Sequence, residues 1–331
     1  MASTRMKLIN LLENNRAEYI SGQELSNQLD ISRTAVWKHM KQLELDGYQI
    51  EAAPRKGYRI ISNPDKVSQN TLQWGLETKW MGKHLHHYDQ VNSTQDIGHE
   101  LAKEGAPHGT VIVADEQLKG KGRKARSWHS KKGEGIWMSI ILRPDLAPVQ
   151  APQITLLAAT VLAQVLAVEG DVEPQIKWPN DLLIDHKKVS GILTEMQAEQ
   201  DHIQYIVIGI GMNVNQDGSK FPDDIRYKAS SLKESTGHAW DITKLIQKIL
   251  KKFEHTYEVF LKEGFKPIKL TWEHYGYRID ETVTISTMKK KWKATLVGIE
   301  ADGALQIRNE DGSHEKLYSA EIEWGEGGYH A

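Results

Sequence analysis

Hydrophobic spacing changes character twice along the chain, and those changes bound what it can fold into. In the first 45 residues apolar side chains recur at helical intervals: Leu8, Leu11 and Leu12, then Leu25 and Leu29, then Val36, Met40 and Leu43. From about residue 66 to 275 short β-like runs alternate with longer helical ones, and beyond Tyr277 only short β-like runs remain. A chain of 331 residues is long enough for two or three separate cores. The expectation is an α+β multidomain protein divided at 1–65, 66–275 and 276–331.

In the first segment, Ser21 and Glu24 form a capping box that starts a short second helix, and Asp30-Ile31 makes the turn after it. Ser32 caps a third helix, with Val36, Met40 and Leu43 inward and Arg33, Thr34, Trp37, Lys38 and Lys41 outward; Gly47 ends it. Residues 48–61 read as a hairpin with Pro54, Arg55, Lys56 and Gly57 at its tip. Three short helices and a basic-tipped hairpin make a winged helix-turn-helix. Its third helix would place Arg33 and Thr34 near base edges, with Trp37 on the same outward face, while Lys38, Arg55 and Lys56 would meet phosphates. Winged helices also dock proteins. Ten Lys or Arg against eight Asp or Glu over residues 1–66 leave only about +2, so one copy would bind DNA weakly and a dimer on two half-sites is expected. The polar stretch at 63–66 reads as a linker.

Beyond it, strands are expected at 85–88, 110–114, 135–142, 177–184, 191–196 and 203–210, with helices at 94–104, 154–168 and 242–261. The last part carries strands at 282–287, 292–299, 304–308 and 315–318, turned by Asp302-Gly303 and Asp311-Gly312 into a small antiparallel barrel or sheet. The glycine-rich end from 325 is expected to fray.

Chemistry concentrates at residues 120–128, GKGRKARSW. Seven Lys or Arg (Lys119, Lys121, Arg123, Lys124, Arg126, Lys131, Lys132) lie between Gln117 and Gly133 with no acid among them. A glycine-containing cationic loop suits an anion: backbone N–H groups can close in, and a guanidinium grips phosphate or carboxylate at two points. A dinucleotide fingerprint is excluded, because residues 127–135 are polar and glycine-broken where it needs a helix, and no Walker-type spacing occurs. Lys177-Trp178-Pro179-Asn180-Asp181 combines a cation, an amide and a carboxylate around a stiff turn, suited to polyphosphate and, through Asp181, a hydrated magnesium ion. Lys188, beside an apolar run, suits a carboxylate or a developing phosphate charge. Ser93, Thr94 and Gln95 sit between a strand and a helix, where caps bind backbone as readily as ligands. His84, His86 and His87 lack an acid or further histidine at ligand spacing.

The composition narrows the rest. The absence of cysteine excludes disulfides, thiolate metal sites and a cysteine nucleophile. A net charge of −2 argues against a chain that coats nucleic acid over its whole surface. No basic-then-apolar leader and no window of about 18 apolar residues stand out, so a soluble cytoplasmic protein without a membrane partner is expected.

Taken in order, Asn92-Ser93-Thr94-Gln95, GKGRKARSW, Lys177-Trp178-Pro179-Asn180-Asp181-Leu182, Lys188-Val189-Ser190-Gly191-Ile192-Leu193 and Gly209-Ile210-Gly211-Met212-Asn213 resemble the motifs of the biotin protein ligases. With the winged helix, residues 5–325 are similar to the members of that family that also repress the biotin operon. The resemblance implies a central mixed α/β ligase domain and an SH3-like C-terminal barrel. It implies that biotin and ATP, with Mg2+, give biotinyl-5′-adenylate, whose biotin passes to a lysine of a biotin carboxyl carrier domain. Operator DNA and a second copy of the chain would be the other partners, with biotin also the corepressor precursor.

By motif position, the resemblance places Ser93, Thr94, Gln95, Gln117, Gly120, Lys121, Gly122, Arg123, Lys188, Gly191 and Gly209 around biotin. It places Arg123, Arg126, Trp128, Lys177, Asn180 and Asn213 around ATP, with Lys188 and Arg123 acting on the reacting atoms. Lys121 stands where arginine is usual and Gln95 where asparagine is usual, which puts those two contacts in question. A lipoate-type adenylating ligase and a ligand-sensing transcription factor without enzyme activity remain the rival readings. Ordering of the 117–133 loop by the adenylate is expected to favour dimerisation.

Overall fold

In the computed structural model the chain is described at residues 4–62, 67–74, 76–287 and 290–323, without the Met6 side chain. The stretches at 63–66 and from 325 onward, read above as a linker and a frayed end, lie outside those residues. The chain divides into two compact units, Met1–Glu77 and Thr78–Ala331.

The first unit holds α1 (Thr4–Asn14), α2 (Gly22–Leu29), α3 (Arg33–Leu45), β1 (Gln49–Ala53), β2 (Gly57–Ser62) and α4 (Gln69–Trp74). Both caps form as their sequence signals require: Ser21 Oγ accepts from Glu24 N and Ser32 Oγ from Ala35 N, each at 3.1 Å. Leu8, Leu12, Leu25, Val36, Met40 and Leu43 share one core. The first unit continues past the boundary read at 65 because Trp74 also buries there, its ring centroid 4.7 Å from that of Tyr48. A Cβ at Gly57 (φ +118°) would lie 2.0 Å from the Ile20 carbonyl oxygen, so this position needs glycine for the hairpin to close on the chain before α2.

The second unit is built on a seven-stranded sheet. In chain order its elements are β3 (Leu85–Tyr88), α5 (Thr94–Lys103), β4 (Thr110–Ala114), β5 (Gln117–Lys121), β6 (Ser127–Ser130), β7 (Gly135–Leu142), α6 (Ala151–Gly170), β8 (Gln175–Lys177), β9 (Asp181–Ile184), β10 (Lys187–Glu199), β11 (His202–Asn213), α7 (Leu232–Thr236), α8 (Ile242–Glu263) and α9 (Lys266–Tyr275). The strands run β3-β4-β7-β11-β10-β9-β8, parallel at β3–β4 and antiparallel elsewhere. Every residue of β7 is buried, so the sheet is covered on both faces there. Adjacent residues of β10 identify the covers: Glu195 meets α5, and Thr194 Oγ1 accepts from Thr155 of α6 at 2.8 Å. Helix α6 has the length and apolarity of a membrane span, yet thirteen of its residues are buried inside this unit.

Three sequence expectations are corrected here. Residues 117–133, read as a loop, form a two-stranded hairpin, β5–β6, in which Gly120 pairs with Trp128 and Lys121 with Ser127. The strand read at 177–184 is two strands, β8 and β9, separated by a turn with a cis Trp178-Pro179 bond. Helix α9 has no counterpart in the sequence reading.

Five short strands follow: β12 (Thr282–Ser286), β13 (Lys291–Ile299), β14 (Leu305–Asn309), β15 (His314–Leu317) and β16 (Glu321–Glu323), ordered β15-β14-β13-β12-β16 and antiparallel throughout. This small SH3-like sheet is tied to the large one through its β13–β14 turn. Gln153 Nε2 donates to Ala301 O at 2.8 Å, and Trp178 Nε1 donates to Gly303 O at 3.3 Å. At the other edge, the Glu254 carboxylate, 6% exposed, accepts the backbone N–H groups of Lys79, Trp80 and Met81 at 2.7–2.8 Å, fixing the entry of the chain against α8.

Candidate active site and nucleic-acid interface

A cavity of about 570 Å³ opens in the second unit, walled by the ends of β7, β10 and β11, the β5–β6 hairpin, the β8–β9 turn, residues 221–229 and residues 319–322. One end is neutral and polar. Ser93 Oγ caps α5, accepting from Gln95 N at 3.2 Å. Thr94 donates to Gln117 Oε1 from both its N (2.8 Å) and its Oγ1 (3.1 Å), which turns Gln117 Nε2 toward Ser130 Oγ at 2.9 Å. Ser139 Oγ reaches Thr94 Oγ1 at 2.9 Å and Gln95 Oε1 at 3.3 Å. These hydroxyls and amides form one largely buried network, in which each constrains the direction of its neighbours.

The middle is an aromatic surface laid on bare backbone. Gly191 and Gly211 are register partners, and a Cβ on either would meet the Trp128 indole, at 3.0 Å from Cζ3 and 2.5 Å from Nε1 respectively. Gly209 lies two residues along the same strand face, where a Cβ would stand 2.6 Å from Gln95 Oε1.

The other end is cationic. Arg123 Nη1 donates to Asn180 Oδ1 at 2.9 Å, and Asn180 is held to β10 by Nδ2 to Ile192 O and Ile192 N to its own carbonyl, both 2.9 Å. Lys188 Nζ lies 2.6 Å from Asp181 Oδ1 and 5.2 Å from the centre of the Trp128 ring. Lys177 is buried, and its ammonium is pushed down to about 8: burial is the main cause, Asp181 opposes it, and Lys188, Lys228 and Arg126 add to it. Desolvation by the surrounding protein also lowers Arg123, whose side chain still reaches solvent, with Asp181 opposing; a guanidinium stays charged. Lys177 is the buried cation here, repelled by Lys188, Lys228 and Arg126, and a polyanionic ligand would offset that repulsion.

The structure therefore brings together Ser93, Thr94, Gln95, Gln117, Lys121, Gly122, Arg123, Arg126, Trp128, Lys177, Asn180, Asp181, Lys188, Gly191, Gly209 and Asn213 on one cavity. Gly120 does not line it; a Cβ there would lie 2.4 Å from the Trp128 carbonyl oxygen, so the hairpin pairing is what requires glycine. Lys121 turns its ammonium to Asp96. Asn213 uses Nδ2 on Ser230 O (3.0 Å) and Oδ1 on Gln216 Nε2 (3.3 Å), holding the neighbouring segment. Among the described residues no group of three His, Asp or Glu could hold a metal. With Asp181 paired to Lys188, magnesium fits as an ion carried by nucleotide phosphates and water, with at most one carboxylate from the protein.

Sequence reasoning missed Ser139, Glu195, Gly211 and residues 319–322. Gly211 had a signal, because Gly209, Gly211 and Asn213 alternate along one strand face. The residues at 319–322 had none, since nothing local says that a distant short strand completes the wall.

In the first unit Arg33, Thr34, Trp37 and Lys38 are exposed on α3, and Arg55 and Lys56 are exposed at the hairpin tip. Trp37 is 51% exposed, a large aromatic left uncovered on the outward face of the third helix. Arg59 is engaged at 2.6 Å by Glu51 and lies 4.8 Å from the Tyr19 ring, bracing the base of the hairpin.

Known proteins share this arrangement. Residues 87–213 match the biotin/lipoate A/B protein ligase family, residues 4–59 an HTH domain, and residues 279–325 the biotin protein ligase C terminal domain. The bifunctional ligase/repressor BirA of Bacillus subtilis is 46% identical over 326 residues, 98% of this chain and all of that protein. The protein of the same name from Escherichia coli is 27% identical over 92% of each chain. Among solved structures, a biotin protein ligase from Aquifex aeolicus in complex with biotin and ATP matches 73% of this chain and 98% of its own, with a TM-score of 0.63 and 31% identity.

Proposed function

The chain belongs to the biotin/lipoate A/B protein ligase family as a bifunctional biotin ligase and repressor, and we propose how its residues divide that work. The observation that carries the assignment is a neutral polar recess and a cationic recess in one cavity, joined across Trp128. A cyclic urea with an aliphatic carboxylate tail fits the first, and a nucleoside triphosphate fits the second.

Ser93, Thr94, Gln95 and Gln117 bind the ureido ring of biotin. The tail then runs over Gly191 and Gly209, so that its carboxylate arrives between Lys188 and Arg123. An oxygen of that carboxylate attacks the α-phosphorus of ATP, a new O–P bond forms, and the bond to pyrophosphate breaks. Two anions must approach, so positive charge positioned at Lys188, Arg123 and Lys177 offsets their repulsion, with an attraction that strengthens as the transition state forms. Magnesium, when bound with the nucleotide, neutralises phosphate oxygens. Arg126, Trp128, Asn180 and Asn213 shape the nucleotide side. In the second step the ε-amine of a carrier-domain lysine attacks the acyl carbon and AMP leaves.

The first unit binds operator DNA through α3 and the hairpin tip, and the adenylate serves as the signal that favours a homodimer on two half-sites. An ATP-consuming, DNA-reading protein of this kind works in the cytoplasm. Incubation with ATP, Mg2+ and biotin tests the catalytic reading: pyrophosphate should be released only with biotin present, and label should pass to a biotin carboxyl carrier domain. Equal release with lipoate would overturn it. Sedimentation with and without biotin and ATP tests the link to assembly, which an unchanged dimer constant rejects.

A further inference from the structure

Gln95 presents one end of its amide to the cavity, and a residue outside the cavity decides which end. An amide side chain can rotate by half a turn with little change in shape, exchanging an acceptor for a donor, so its partners alone fix its direction. Gln95 Nε2 lies 2.9 Å from Glu195 Oε2 and 3.1 Å from the Val207 carbonyl oxygen. The carbonyl can only accept, and an ionised carboxylate can only accept. The opposite atom, Oε1, lies over Gly209 and within 3.3 Å of Ser139 Oγ. Turning the amide over would set its oxygen against two acceptors.

The carboxylate is itself held. His99, one helical turn after Gln95 on α5, places Nε2 3.2 Å from the same Glu195 Oε2, and its ring meets Tyr205 edge-on at 5.7 Å. Glu195 and Val207 are register partners across β10 and β11, so both acceptors come from one rung of the sheet. Glu195 does not line the cavity, and its side chain is 45% exposed, while Gln95 is 3% exposed.

We propose that Glu195 is a positioning residue that locks Gln95 with its carbonyl oxygen toward the ligand, and so selects a ligand that offers an N–H at that point. The inference rests on the cavity being the biotin site and deepens it. A ureido ring offers such N–H groups, whereas a lipoyl dithiolane offers none, so the lock favours the former and leaves the latter facing an oxygen to which it donates nothing. Gln95 thereby serves in place of a shorter amide because its extra methylene brings Nε2 out to Glu195.

Steady-state pyrophosphate release by the full chain tests this, with biotin and with the two ureido N-methyl biotins as probes. Glu195→Ala should raise KM for biotin about 5- to 10-fold at near-constant kcat, a range that allows for screening of a half-exposed carboxylate. It should also narrow the discrimination against one of the two N-methyl isomers. Glu195→Gln, which keeps an acceptor oxygen, should restore most of the affinity and the discrimination. An unchanged KM and unchanged discrimination in Glu195→Ala overturns the proposal while leaving the biotin site standing. Failure of the unmutated chain to respond to biotin overturns the site assignment itself.

Discussion

Gly191 and Gly211 stand opposite each other in register across β10 and β11, and a methyl group on either would crowd the Trp128 indole. The more crowded position is Gly211, where a Cβ would lie 2.5 Å from two ring atoms. Gly211→Ala should therefore displace Trp128 and the hairpin it anchors. We expect biotin-dependent pyrophosphate release to fall by more than about 10-fold, with the melting temperature nearly retained because the strand pairing survives. Trp128→Phe combined with Gly211→Ala should recover part of the loss.

Lys188 sits 2.6 Å from Asp181, so that carboxylate places its charge. Lys188→Ala should lower the rate of adenylate formation by about 10²- to 10³-fold in rapid-quench measurements. Circular dichroism of the variant should match that of the parent chain. An unaltered rate would remove Lys188 from the first step.

Lys177 gives the site a pH dependence. With its ammonium at about 8, the cation is present below that value and is lost as pH rises through it, so adenylate formation should decline on the alkaline side. Lys177→Arg should move that decline upward. Stability runs the other way. Between about 8 and the ordinary lysine range near 10.4 the unfolded chain binds a proton that the folded chain has released, so this group's contribution to stability rises with pH across that window. Chemical denaturation at pH 7.5 and 9.5, with Lys177→Met as the reference, checks the sign.

The residues proposed to contact DNA should be separable from catalysis. Lys38→Ala and Arg55→Ala each remove an exposed cation from the first unit. Each should weaken operator binding across sequences and reduce the salt slope by about 1, while pyrophosphate release stays at its original rate. Fluorescence anisotropy at several salt concentrations measures both quantities.

Glu254 makes the clearest stability test. Its buried carboxylate receives three backbone N–H groups, and Glu254→Ala would leave all three without it. A loss of about 3 kcal/mol in urea unfolding is expected.

Much of this was legible in the sequence wherever a local rule acts on its own. Ser21 and Ser32 cap helices because their hydroxyls reach the backbone three residues on, and Val36, Met40 and Leu43 bury because they share a helical face. The cavity-lining set was legible through the joint order of its motifs, since no single one of them specifies the site. The β5–β6 hairpin was not, because Gln117, Lys119, Lys121, Ser127 and His129 give it no apolar alternation; its pairing depends on glycine at 120 and on tertiary partners such as Thr94. Glu195 was likewise invisible, as its role exists only once α5 is packed against β10.

Residues 319–322 close one side of the cavity, and the Gly303 carbonyl accepts the Trp178 Nε1–H. During synthesis, then, the ribosome must have passed residue 322 before the cavity has all its sides. A nascent chain halted shortly before that point would carry the DNA-reading unit and the whole seven-stranded sheet, yet lack one wall of the chamber proposed to shelter a mixed anhydride.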